Sequence, residues 1–288
     1  MNKTPGEIIQ TGRMEESKTF IKLRPQELGT APQQCTVFEQ LSSELKTITE
    51  KTPIIEQLIA RGGFVLDTIM GAEPNDIDLF YALKQWTTPQ WHGCKCDEIK
   101  QAIASLKLPV TSARKVDTGH ILEGEMYLDP IPKILGYFSH HIEIPSKVVL
   151  DSDGYIWTVK EAVTCITERI YELRNTGRVQ HAYYPYADDP GYRDYVTNTA
   201  RLVVRGLRMI HTKQYRSVGQ DFFDLVDNSS LVWKTVLANK DFTQILKRNM
   251  TVKNGFMTLA DYANALAVTH VSNQGEILES IKRILESE

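Results

Sequence analysis

The sequence predicts an α+β protein, a mixed sheet flanked by helices and followed by an all-helical C-terminal domain. Three observations predict it. Up to about residue 158, short apolar runs bounded by glycine, proline and asparagine are interleaved with helical spacings. Beyond it, apolar positions recur at helical intervals as far as Ile284. Composition is ordinary for a globular chain, 42% hydrophobic and 24% charged over 288 residues, which suffices for one large core or two smaller ones. The expected organisation is an N-terminal arm (1–36), an α/β domain (37–158) and a helical domain (159–288).

Residues 1–36 are polar, carry Pro5, Pro25 and Pro32, and show few periodic apolar positions, so they read as a loosely packed extension. Phe38, Leu41, Leu45 and Ile48 then follow helical spacing. Pro53 suits the first turn of a second helix carrying Ile54, Ile55, Leu58 and Ile59, with Gly62-Gly63 as its C-terminal cap. Phe64 to Met70 is short and amphipathic, and Gly71 to Asn75 is a turn before a strand over Asp76–Leu83. Glu98–Lys107 reads as a surface helix, and strands are expected at Gly119–Glu123, Tyr137–Ile144 and Lys147–Leu150. Asp151-Ser-Asp-Gly154 makes a turn, with Tyr155-Ile-Trp157 as hairpin partner. Val159–Leu173 and Thr197–His211 are the first two helices of the second half, and the latter buries Leu202, Leu207 and Ile210.

Net charge is −3, so any nucleic-acid contact must come from a local basic patch. Four cysteines in a chain of this size do not form a disulfide framework. No apolar run reaches the roughly 18–20 residues that span a bilayer, and Met1–Arg13 lacks the apolar core of a signal peptide. A cytoplasmic, reducing compartment and no membrane partner are expected.

The chemistry concentrates in Arg61–Leu79. Side chains alternate along a strand, so Asp76 and Asp78 share one face while Ile77 and Leu79 face the core. Two carboxylates so close repel unless a cation lies between them. A hard ion such as Mg2+ accepts carboxylate oxygens and keeps positions open for water or substrate phosphates. The glycines at 62 and 63 allow backbone to approach a phosphate with no Cβ in the way.

Gly62-Gly63 followed after twelve residues by Asp76-Ile-Asp78 resembles the signature of the DNA polymerase β-type nucleotidyltransferase superfamily. The fuller string from Gly62 to Leu79 is similar to class II CCA-adding tRNA nucleotidyltransferases and bacterial poly(A) polymerases, with Gly62, Gly63, Val65, Asp67, Gly71, Asp76, Ile77 and Asp78 on the pattern. Leu66 stands where that family has an arginine. The family's arginine-rich segment would fall on Tyr137–His141, followed by Val148–Asp151 and Asp153-Gly154, without its two arginines and its aspartate. Its base-reading helix would begin at Thr197-Asn-Thr-Ala-Arg201, without the acidic pair that helps select CTP and then ATP.

The resemblance implies a nucleotidyltransferase-type sheet and a two-metal Mg2+ site, with ions roughly 3.5–4 Å apart. Asp76 and Asp78 would be catalytic and metal-binding, joined by a third carboxylate between apolar neighbours. Ile142-Glu143-Ile144 has that form, with Glu125 and Asp129 as competitors. Gly62, Gly63 and Asp67 would contact the nucleotide. Arg201, Arg205 and Arg208 lie on one helical face, where guanidinium groups suit phosphates or base edges, and His211, Lys213 and Arg216 extend the patch. His92-Gly-Cys-Lys-Cys96 is spaced too tightly for an ordinary zinc pair, and Tyr183, Tyr184 and Tyr186 could stack on bases. The expected activity is transfer of NMP from ATP and/or CTP to a hydroxyl, the 3′ end of an RNA such as tRNA. The rivals are transfer to a protein or small molecule, and a catalytically idle nucleotide- or RNA-binding relative.

Overall fold

The computed structural model describes residues 20–53, 55–72, 74, 76–83, 115–117, 142–174, 190–248, 250 and 257–287. They form two units. One comprises residues up to His141 together with Pro145–Thr167, and the other comprises Ile142–Ile144 together with Glu168–Glu288.

Among the described residues the first unit is built on six strands of one sheet in the order β1-β6-β5-β2-β3-β4. Its strands are β1 (Phe20–Leu23), β2 (Ile55–Arg61), β3 (Asp76–Leu83), β4 (Lys115–Asp117), β5 (Val148–Leu150) and β6 (Ile156–Val159). All pairings are antiparallel except β3 with β4, which run parallel. Among the described residues three helices accompany the sheet, α1 (Pro32–Lys51), α2 (Gly63–Met70) and α3 (Lys160–Thr167). The helical spacing from Phe38 to Ile48 is realised in α1, where Phe38, Leu41, Leu45 and Ile48 are all buried.

Two expectations are corrected here. The N-terminal stretch is not an arm throughout, because Phe20–Leu23 pairs residue for residue with β6 as an edge strand. Residues 55–61 are a strand rather than a helix. β2 lies between β3 and β5, so Ile55, Leu58, Ile59 and Ala60 are all buried. A strand buried on both faces gives a continuous apolar run, which periodicity does not separate from a helix. A register shift between Ile55 and Gln57 further breaks the alternation.

The β5–β6 hairpin forms where the sequence places it. Its turn is organised by Asp151, whose Oδ1 accepts from the Asp153 and Tyr155 N–H groups at 2.9 Å each, while Oδ2 accepts from Trp157 Nε1 at 2.7 Å. Lys22 Nζ of β1 approaches the same carboxylate at 3.4 Å.

The second unit is mostly helical: α4 (Pro190–Lys213), α5 (Gln220–Asp227), α6 (Ser230–Ala238), α7 (Lys240–Arg248), α8 (Leu259–Thr269) and α9 (Gln274–Glu286). A two-stranded parallel ribbon joins β7 (Ile170–Tyr171) to β8 (Ser217–Val218). The expected helix over 159–173 therefore ends at Thr167, and its last residues give β7 instead. α4 buries Ala200, Val203, Val204, Leu207 and Ile210, whereas Leu202 is only half-buried. Close packing at its middle depends on Gly206, where a Cβ would lie 2.3 Å from the Phe222 ring and 2.9 Å from that of Tyr171. No helix among the described residues is long and apolar enough to cross a membrane.

Candidate active site

The Gly62–Asp78 string folds as strand, turn, helix, strand. β2 delivers the chain to Gly62, whose φ of 60° and ψ of −123° are open only to glycine. Gly62 N–H donates to Val148 O at 3.1 Å, which anchors the turn to β5. α2 starts at once, with Leu66 N–H donating to Gly62 O at 2.9 Å. The glycine pair is thus the entry to a helix and not the exit from one. The first N–H groups of a helix have no intrahelical acceptor, so α2 begins with donors suited to an anion.

α2 is apolar almost all round: Phe64, Val65, Leu66 and Ile69 are buried, as is Asp67 at 8% exposure. Leu66 thus belongs to the packing of the helix. Asp67 offers little surface, and its carbonyl accepts the N–H of Ala72 at 2.8 Å as α2 ends at left-handed Gly71.

β3 then carries Asp76 and Asp78 at alternate positions, with Ile77 and Leu79 between and after them buried at 0% and 1%. The backbone register sets Asp78 between Arg61 of β2 and Asp117 of β4. Asp76 pairs in the same parallel ladder with Lys115. Residues in register on adjacent strands share a sheet face. Asp117 was not singled out in the sequence, because Lys-Val-Asp lies in a polar stretch with no alternating run to mark a strand.

Glu143 belongs to the second unit, where its backbone bridges to Leu173. It is 1% exposed, and its carboxylate is engaged by Arg205, with Nε on Oε1 and Nη2 on Oε2, both at 2.7 Å. Tyr171 donates its hydroxyl to Oε1 at 2.9 Å. Burial raises the Tyr171 phenol well above its ordinary value, and the adjacent carboxylate adds to the shift. Both carboxylate oxygens of Glu143, expected as the third metal ligand, thus accept hydrogen bonds from a cation. Arg205, expected on a nucleotide, is that cation.

Arg201 and Arg208 are half-buried on α4, four residues before and three after Arg205. The extension of the basic face is weaker than the sequence suggests. Lys213 is buried, and His211 Nε2 lies 3.6 Å from Asp261 Oδ1. Among the described residues no group of three or more His, Cys, Asp or Glu is gathered to hold a metal. The side chains of Asp76, Asp78 and Asp117, and residues Glu125, Asp129, His92, Cys94, Cys96, Tyr183, Tyr184 and Tyr186, lie outside the described positions, as do the helix expected at 98–107 and the strands expected at 119–123 and 137–141. Cys35 and Cys165 are buried and form no disulfide.

No family model matches the chain, and no curated protein matches it. Solved structures do. The chain is similar to a CCA-adding enzyme in complex with CTP at 11% identity and a TM-score of 0.49, over 89% of this chain and 55% of that one. It is similar to a tRNA-processing enzyme with CTP at 10% identity and a TM-score of 0.46, over 84% and 58%. A Thermotoga maritima CCA-adding enzyme complexed with tRNA aligns at 10% identity and a TM-score of 0.43, over 92% and 54%. The chain thus spans little more than half the length of these enzymes.

Proposed function

We propose that the chain is a Mg2+-dependent, template-independent nucleotidyltransferase, moving NMP from ATP or CTP to a hydroxyl acceptor at the 3′ end of an RNA. The observation that carries this reading is the run from β2 through the Gly62 turn and α2 to the Asp76–Asp78 strand, with Asp117 in register beside Asp78.

Carboxylates are the hard oxygen donors that Mg2+ takes, and three acids on two adjacent strands fit such an ion. Asp76, Asp78 and Asp117 would hold it. Asp117 takes the role that the sequence pattern suggested for Glu143. When bound, the metal neutralises the triphosphate and lowers the pKa of the attacking hydroxyl. The first-turn N–H groups of α2, beginning at Gly63, are suited to receive phosphate oxygens, and a Cβ at Gly63 would meet nothing within 4 Å. Asp67 contributes as a buried support of α2, and the basic face at Arg201, Arg205 and Arg208 is suited to the nucleotide or the RNA.

The test is incubation with labelled ATP or CTP, Mg2+ and tRNA. The Asp76→Ala, Asp78→Ala double variant is expected to lose incorporation by on the order of 1,000-fold or more at an unchanged melting temperature. Asp117→Asn is expected to follow it, whereas incorporation equal to the parent's by the double variant would reject the proposal. Labelling of a protein or metabolite with no extension of RNA would move the acceptor to that class.

A further inference from the structure

We propose that the cavity between α1 and the β5–β6 turn binds a small α-amino acid with an apolar side chain, its carboxylate seated between Arg24 and Ser42 and its ammonium group beside Glu39. The site does not depend on the nucleotide reading: α1 and the β5–β6 turn line it, whereas Asp76 and Asp78 stand on β3.

The cavity measures about 330 Å3, at the small end of the roughly 300–1,000 Å3 that ligand pockets occupy. Buried Pro25, Cys35 and Phe38 give it an apolar side. Glu39, Ser42 and Lys46 of α1 add polar groups three and four residues apart, hence on one helical face.

Ser42 is the first sign of a guest. It is 5% exposed, and its hydroxyl has no hydrogen-bond partner among the described residues. Thr36, Thr47 and Thr49 of the same helix each donate to the carbonyl four residues back, at 3.2, 2.8 and 2.9 Å. Ser42 makes no such bond. A buried hydroxyl left without a partner forfeits its hydration for nothing, so it marks a place where a partner belongs. Its single side-chain torsion moves between staggered wells and can turn the oxygen to a guest.

Arg24 is ordered beside it. Its guanidinium lies 3.6 Å from the centroid of the Tyr155 ring, and Nη2 donates to the Tyr155 hydroxyl at 2.7 Å. Nη1 has one long contact, to Asp153 O at 3.4 Å. Gly154, at φ 80°, leaves the corner open, and a Cβ there would lie 3.7 Å from both Arg24 Nη1 and Ser42 Oγ. Two donors therefore flank one spot, and a guanidinium with a hydroxyl suits a carboxylate. A guest that meets an arginine already stacked in place avoids the entropy of ordering it.

The remaining charges choose the class of guest. Asp153 is paired with Lys46 at 3.9 Å. Glu39 has no hydrogen bond or ion pair among the described residues. It faces the same region, since burial raises the Cys35 thiol's pKa and the Glu39 charge adds to the shift. A phosphate dianion would meet two carboxylates here, whereas a zwitterion offers an anion to Arg24 and a cation to Glu39. Residues three apart on a helix have Cβ atoms roughly 5–6 Å apart, which places Glu39 and Ser42 within reach of the two charged groups of one α-amino acid. Its side chain then lies on Pro25 and Phe38.

Saturation-transfer NMR and thermal melts of the full chain with L-leucine and L-phenylalanine test the site. Controls are L-leucinamide, which lacks the carboxylate, N-acetyl-L-leucine, which lacks the ammonium group, and inorganic phosphate. Transfer to at least one amino acid and a higher melting temperature are expected, with both leucine derivatives weaker by about 10-fold or more. Ser42→Ala and Arg24→Gln are each expected to raise Kd by about 10-fold. Glu39→Gln should narrow the preference for L-leucine over N-acetyl-L-leucine. Without ligand, Ser42→Ala should melt no lower than the parent, because it removes a buried group that has no partner. That result separates a ligand's seat from a hydroxyl serving the fold.

Absence of transfer and of any melting shift with both amino acids would overturn the proposal. So would leucinamide binding as tightly as leucine, or a parental Kd in both Ser42→Ala and Arg24→Gln. Binding of phosphate alone would replace the zwitterion with an oxyanion and reject the class proposed. A ligand-free Ser42→Ala protein melting well below the parent would remove the premise that the hydroxyl awaits a partner.

Discussion

The two units hold their candidate functional residues by different means. In the sheet unit, position comes from backbone: the dihedrals of Gly62, the start of α2 at Gly63 and the register that sets Asp78 between Arg61 and Asp117. In the helical unit, position comes from side chains packed on side chains, with Glu143 on Arg205, Tyr171 on Glu143, and Phe222 and Gly206 closing on Tyr171. A backbone-built site asks little of its neighbours' volumes and much of a few dihedrals. A packing-built site makes the opposite demand. The first should therefore fail in activity before it fails in stability, and the second in stability before activity.

The largest effect that would sharpen this contrast is at Gly206. Its Cβ would lie 2.3 Å from Phe222, so Gly206→Ala forces α4, Phe222 or Tyr171 to move. Overpacking of this kind costs about 1–3 kcal/mol, and the close approach here points to the upper end. The expected outcome is a melting temperature lower by several degrees, with activity per folded molecule largely kept at low temperature. An unchanged melting temperature would break the comparison.

Gly62→Ala tests the other half. An L-residue at φ 60° and ψ −123° is strained by about 1–3 kcal/mol, and the turn can relieve that strain only by moving the start of α2. A loss of kcat/KM larger than the loss of stability is expected, read from initial rates beside a thermal melt. The converse pattern would place the turn with the packing-built features.

The smallest expected effect is at Glu172. Burial raises its carboxyl pKa, against the lowering by the N–H of Leu173, which donates to it at 2.7 Å. A carboxyl whose pKa is higher folded than unfolded binds more protons in the native state. Its ionisation thus costs stability as pH rises from the ordinary carboxylate value through the raised one. Glu172→Gln should melt slightly higher than the parent at neutral pH, with the difference fading as pH falls below the ordinary carboxylate range. A difference independent of pH would assign the effect to packing.

Two parts of the fold were readable in sequence because their marks are local: the strand at Asp76–Leu83 and the β5–β6 hairpin with its Asp-Ser-Asp-Gly turn. The Gly62-Gly63 pair was read as the end of a helix, whereas it begins one. What was missed depends on partners distant in the chain. β2 was taken for a helix because central burial removes the alternation that marks a strand. Asp117 becomes a candidate only through its register with Asp78. Ile142-Glu143-Ile144 was read as a metal-binding carboxylate between apolar neighbours, and nothing in those three residues points to an arginine 62 positions on.

One property of the Gly62 turn reaches beyond stability. Its dihedrals are the mirror image of φ −60° and ψ 123°, an ordinary extended conformation for an L-residue. The link between β2 and α2 is therefore a single residue of inverted handedness, and glycine, being achiral, is the one encoded residue indifferent to that inversion. Chemical ligation of a chain with D-alanine at position 62 should accordingly recover the dihedral compatibility that L-alanine loses, and with it the turn.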